Sequence, residues 1–452
     1  MKHLLTLSLG AILISMASCV KEVSNDNGDG GGKNPNDPNV TKELKGSYEN
    51  DVTLQKGTYT LTGYVYFQNG ATLKIPAGTI IKSSTTQKGA LIIEMGAKID
   101  AVGTASEPIV FTSGKPAGQR VRGDWGGIIL LGRAPFNRSL SPRPLIEGGV
   151  DRRYGGDDPN DNSGKLQYVR IEYAGIAAEP NSEINALTLG AVGAGTTIDH
   201  IQTSFANDDA FEFFGGNVNA KYLVAYSSSD DDLDFDFGYT GKIQYAVIQR
   251  NPAIYDSDAG NGVEADNDGS GTTATPYTQP VLSNITWIGT NVAAVAPDLT
   301  NFGNRWRRAV RFGVHNSVML GWPQGGFSME SAATVQAYKD GISLYKNNLV
   351  HALNNPYRVD AAGAGVMTLT EITTKATADG NVVYPDAATI ALNDPFNLDA
   401  PNYLPKAGSP ALAGAVFTGL DAWFTNTTFR GAFGTENWMA GWTSFTPNTN
   451  AY

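Results

Sequence analysis

The segment Asp208-Asp209-Ala210-Phe211-Glu212-Phe213-Phe214-Gly215-Gly216 returns 22 residues later as Asp230-Asp231-Asp232-Leu233-Asp234-Phe235-Asp236-Phe237-Gly238. At that offset Asp208 falls over Asp230, Asp209 over Asp231, Glu212 over Asp234 and Phe213 over Phe235. Carboxylates stacked on neighbouring turns of chain repel one another unless a cation lies between them, and an all-oxygen donor set suits a hard ion. The three acidic pairs, with Asp236 beside them, therefore predict calcium binding. The plainer alternative is that these aspartates fill turns and solvate a face.

Three further acidic clusters accompany the repeat: Asp157-Asp158-Pro159-Asn160-Asp161, Asp256-Ser257-Asp258 and Glu264-Ala265-Asp266-Asn267-Asp268-Gly269. The last is similar to part of a calcium loop and adds Asp266 and Asp268 to the candidate ligands, although it lacks the glutamate that closes an EF-hand. Other chemistries are absent from the sequence. It contains no Gly-x-Ser-x-Gly elbow, no phosphate-binding loop and no His-Glu-x-x-His. His200, His315 and His351 are far apart and have no cysteine partners, which excludes an ordinary zinc site.

The elements that position such carboxylates follow from composition and spacing. The 452 residues are 41% hydrophobic and only 17% charged, with 52 glycines, a turn-rich balance of β type. From Leu44 onward, short alternating runs such as Tyr59–Phe67, Gly70–Ile81, Lys98–Val102 and Ile109–Thr112 are broken by Gly, Asn, Asp or Pro. Runs beginning at Thr197, Ala220 and Lys242 occupy equivalent places, with His200, Tyr222 and Gln244 each 22 residues apart. One turn of a solenoid has this length. The expected fold is all-β: a single-stranded right-handed parallel β-helix over 44–395 with long loop insertions, followed by an aromatic-rich cap over 396–452.

Insertions at Pro135–Ser163, Asn251–Gln279 and Ala352–Asp394 are expected to gather on one face and carry binding, with a short helix near Met367–Ile372. Trp423, Phe424, Phe429, Phe433, Trp438, Trp442 and Phe445 are expected to close the open end of the solenoid, the rival role being a platform for stacking sugars. Arg305, Trp306, Arg307 and Arg308 read as an exposed turn around one buried Trp, against the alternative of an anion-binding patch.

The formal charge of −11 excludes nucleic acid as a partner, because that contact requires clustered Lys and Arg. Residues 1–18 read as a signal peptide. Met16-Ala17-Ser18-Cys19 resembles the lipobox of bacterial lipoproteins, which implies acylation of Cys19 and a lipid anchor in the outer membrane. Residues 19–43 form a tether too polar to bury a core.

Two resemblances extend this reading. Asn207-Asp208-Asp209-Ala210-Phe211-Glu212 is similar to calcium-binding coils of parallel β-helix polysaccharide lyases, with Ala210 in place of a Gly. That resemblance implies a calcium-dependent polyuronate lyase whose base would be Lys221 or Lys242, the nearest lysines. Asp161–Gly175, Phe213–Gly216, Asp234–Gly241 and Arg430–Gly434 resemble a group of uncharacterised Bacteroidetes surface lipoproteins. This second likeness covers nearly the whole mature chain. It implies a cell-surface module that captures a glycan or other extracellular ligand beside a TonB-dependent transporter. The stacked pairs themselves suit cation binding better than catalysis.

Overall fold

A computed structural model describes residues 42–179, 182–255, 260–292 and 302–452. The expected signal peptide, Cys19, Asp256 and Asp258 lie outside these residues. The body is a parallel β-helix. One ladder joins Leu91–Ile93, Ile128–Leu131, Leu187–Gly190, Phe211–Phe214, Leu233–Asp236, Glu264–Ala265, Phe302–Trp306, Gly325–Met329 and Asn355–Val359, each strand parallel to the next. A second joins Gly164–Glu172, Thr197–Ser204, Ala220–Tyr226, Lys242–Gln249 and Val281–Ile288.

Alternation decides what lies inside. Leu187, Leu189, Phe211, Phe213, Leu233 and Phe235 point into one continuous core that extends from Leu44 to Ala376. Phe213 and Phe235 meet within it as a tilted pair, their centroids 5.1 Å apart. The 22-residue register of the acidic repeat is that of the strands, since Glu212 pairs with Asp234 and Phe213 with Phe235.

Strands of the second ladder bend at a residue with positive φ, Tyr168, His200, Tyr222, Tyr245 or Asn284, and Asn316 and Asn347 take the same conformation between the short strands that follow. Bulky residues rarely adopt this conformation, and each costs about 1–3 kcal/mol. Ring stacking offsets it. Tyr168 lies 4.2 Å from His200, His200 4.3 Å from Tyr222, and Tyr222 5.0 Å from Tyr245. Tyr222 is followed in this column by Tyr245, because Lys221 pairs with Gln244. The uniform spacing of 22 expected at this coil is therefore lengthened by one residue.

The aromatic C-terminal segment does not close the end of the solenoid as expected. It runs back along the outer side of the second ladder. Gln244 exchanges hydrogen bonds with the backbone of Thr425 (2.7 and 2.8 Å), and Gln202 does the same with Ser444 (2.8 Å each). Asn316 similarly clasps Val416 at 3.0 and 2.8 Å. Trp438 and Trp442 meet the rings of His200 and Tyr222 edge-on. A separate apolar cluster forms there, joining Tyr226, Val247, Ile288 and Leu320 to Tyr403, Phe433, Met439 and Trp442.

Helices serve the end instead. Ala332–Lys339 (α1), Ala361–Ala364 (α2) and Leu369–Ala378 (α3) follow the last coils, α3 matching the helix expected near Met367. Val335 and Tyr338 of α1, with Ile372 and Ala376 of α3, enter the interior core. The first long insertion lies over the other ladder, where Phe136, Ile146, Val150 and Tyr154 cover Ile92, Ile129, Leu131 and Phe214.

Candidate cation site

One outward-facing column on the first ladder changes character along its length. In strand register it reads Ile92, Ile129, Thr188, Glu212, Asp234, Glu264, Arg305, Ser328 and Arg358. The insertion covers its apolar start. Beyond that cover the column is acidic, then basic.

The turns that precede the acidic strands form a second stack. The Asp231 N–H donates to Asp209 Oδ1 at 2.8 Å, the Asn261 N–H donates to Asp231 Oδ1, and the Phe302 N–H donates to Asn261 Oδ1 at 3.1 Å. Asp209 and Asp231 are thus buried, at 6% and 5% exposure, with one oxygen each committed to the next coil. At the head of the stack Asn185 Nδ2 donates to Glu212 and, at 2.7 Å, to Glu147 Oε1. Glu147 comes from the first insertion, a contribution that sequence reasoning missed. No fixed offset relates an insertion residue to the coils.

Two sets of carboxylates converge. Ligand oxygens of Asp208, Asp209 and Asp230 lie within 4.8 Å of one another, and so do those of Asp209, Glu212 and Asp234. Asp209 belongs to both. Burial pushes its carboxyl well above the ordinary range, and the charges of Asp208, Asp231, Asp230 and Asp234 push it further. Glu212 rises through burial and then through Glu147, Asp234 and Asp209. Asp231 and Asp234 rise through burial and the charge of Glu264. Protons or a cation would relieve the repulsion that raises Asp209, Glu212, Asp231 and Asp234.

The remaining candidates sit differently. Asp236 is also raised, by burial first, and its oxygen accepts the Phe237 N–H at 2.7 Å. Asp266 is held by Arg307 at 2.8 Å and Arg308 at 2.6 Å. Burial alone would raise Asp268, but bonds from Thr272, Ser270 and Gly271 hold it below its ordinary value, so it caps its own turn. Glu264 lies on a strand, and Asp266 and Asp268 are engaged separately, so residues 264–269 do not wrap a common centre. Asp161 is buried near Gly193, away from these groups.

Arg305 and Trp306 belong to a strand rather than an exposed turn, which corrects that expectation. Trp306 is fully buried as foreseen. Arg305 bridges Glu264 at 3.1 Å and Glu330 at 3.0 Å, and Arg307 bridges Glu264 and Asp266. Paired carboxylates raise Arg307 above its ordinary value against the opposing effect of burial.

Lys221 and Lys242 are on the other ladder, facing the C-terminal segment. Lys221 Nζ donates to Thr425 Oγ1 at 2.9 Å and lies over the Trp423 ring, while Lys242 pairs with Asp421 at 3.4 Å. The structure does not bring either to the carboxylates.

A family model described as "Pectate-lyase like beta helix domain" matches residues 46–443, and the chain belongs to that family. Searches of curated proteins and of solved structures find no match.

Proposed function

We propose that this β-helix is a calcium-binding interaction module, carried as a lipid-anchored outer-membrane lipoprotein at the cell surface. One observation carries the cation reading: two carboxylate sets share the buried Asp209, with ligand oxygens within 4.8 Å. Calcium takes oxygen ligands at about 2.3–2.6 Å, so oxygens this close to one another fit around one ion. The donors are all hard oxygens, with no His or Cys among them, which favours calcium over zinc. When bound, the ion would supply positive charge among the stacked carboxylates. Asp208, Asp209, Glu212, Asp230, Asp231 and Asp234 would hold or flank it.

Anchoring and address rest on Cys19 and the tether that follows it. Family membership favours a glycan as the captured ligand, and the accessory role beside a TonB-dependent transporter belongs to the same proposal. A polyuronate lyase is the second reading, favoured by the family relation alone. Against it, Lys221 and Lys242 face elsewhere, and Arg305 and Arg307 are each held protonated by two carboxylates.

The test is thermal denaturation after chelation. Calcium is expected to raise the melting temperature of the wild-type protein and to have a smaller effect on Asp231→Ala. No calcium effect on the wild type, together with a silent Asp231→Ala, ends the cation reading. Polyuronates are expected to yield no unsaturated product absorbing in the ultraviolet, and co-purification from detergent-solubilised outer membrane tests the transporter association.

A further inference from the structure

We propose that Arg250 is the positioning residue of the cation site, clamping the Ser228–Asp232 turn so that Asp230 and Asp231 face their partners in the preceding coil. The proposal rests on the cation reading above. Arg250 is 3% exposed. Its Nη1 donates to the Asp230 carbonyl, to Asp232 Oδ2 at 3.3 Å and to Ser228 Oγ at 3.4 Å, while Nη2 donates to the Ser229 carbonyl at 3.1 Å. Ser228 Oγ in turn donates to Asp232 Oδ1 at 2.5 Å. Consecutive carbonyls and the Asp232 side chain are thus fixed by one planar group, and the Asp230 carboxylate is carried on that frame.

The repeat shows what this clamp adds. By strand register Asp232 stands where the preceding coil has Ala210, Ser228 where it has Ala206, and Arg250 where it has Ser227. The two acidic turns share their ligands but not their support: the clamp exists only in the second. Gly260 leaves room for it, since a Cβ there would stand 2.1 Å from Arg250 Nη2 and 2.4 Å from the Asp230 carbonyl oxygen. The guanidinium donates to several acceptors in fixed directions, a geometry that an ammonium group cannot reproduce.

The experiment measures calcium affinity by titration calorimetry on the chelator-stripped full chain, alongside the cation-free melting temperature. Two variants are compared with wild type: Arg250→Lys, which keeps the charge, and Ser228→Ala/Asp232→Ala/Arg250→Ser, which installs the preceding coil's residues. Loss of a supporting partner typically weakens metal binding about 10–100-fold, and a loss of at least about tenfold is expected in both variants. If the triple variant does not fold, Arg250→Lys decides alone. Wild-type affinity in folded Arg250→Lys, with only the melting temperature lowered, overturns the inference and leaves the cation reading standing. Absence of calcium binding by wild type removes both.

Discussion

Asp209 accepts the backbone N–H of Asp231 at 2.8 Å, so the same carboxylate that belongs to both candidate ligand sets also stitches one coil to the next. Its charge and its acceptor oxygen are separable. Asp209→Asn keeps the acceptor and removes the repulsion. It is expected to melt higher than wild type in chelator and to lose most of the gain from calcium. Asp209→Ala leaves the Asp231 N–H without its partner and is expected to cost about 1–3 kcal/mol in denaturant unfolding.

The acidic cluster sets a pH dependence of unusual sign. Asp209, Glu212, Asp231, Asp234 and Asp236 have folded-state values raised by burial and, at most of these positions, by one another. A raised carboxyl binds its proton more tightly folded than unfolded. Its contribution to stability is complete below the unfolded value of about 4 and is lost as pH rises through the folded value. Urea midpoints of the cation-free protein are therefore expected to fall from pH 4 toward pH 8, and saturating calcium is expected to flatten that fall. A calcium-free midpoint that rises across the range through this cluster would contradict the assignment.

His315 works in the other direction. Burial, reinforced by the charge of Lys346, pushes its imidazole down to about 4 from 6.5. The unfolded chain takes up that proton first, so the stability held above about pH 6.5 is lost as pH falls toward 4, at most about 3 kcal/mol. His315→Gln is expected to remove this acid limb while leaving the calcium response intact, as read by unfolding at pH 4.5 and 7.

The amide clasps on the C-terminal segment predict a local effect. Gln244→Ala leaves the Thr425 N–H and carbonyl without their side-chain partner. Hydrogen exchange around Thr425 is expected to accelerate more than exchange in the interior strands. Equal acceleration throughout the chain would show that the segment does not open separately.

What the sequence disclosed depended on the constancy of the period. Glu212 and Asp234 were legible as a pair because the coil between them keeps the 22-residue offset at which the acidic segment is repeated. Glu264 is 30 residues beyond Asp234, and Arg305 a further 41, so no offset announces that acid and base share one column. Glu147 was hidden in an insertion for the same reason. The course of the C-terminal segment was illegible because its aromatic residues would suit either an end or a side. Gln202 and Gln244, which settle it, look like ordinary solvent positions on a strand. Positive φ at Tyr168, His200 and Tyr222 could not be read from propensity, since only stacking between coils makes it tolerable.

A stack of coils that touch only their neighbours can fray or open in parts. Here Tyr452 bonds to Glu172, Ser444 to Gln202, Thr425 to Gln244 and Val416 to Asn316, linking residues 100 to 280 positions apart. Opening any of those coils strains a connection shared with the others, so the solenoid should unfold as one cooperative body. Such distant closures also slow folding. The coils can stack progressively, but full cooperativity arrives only when the last segment is laid down along them.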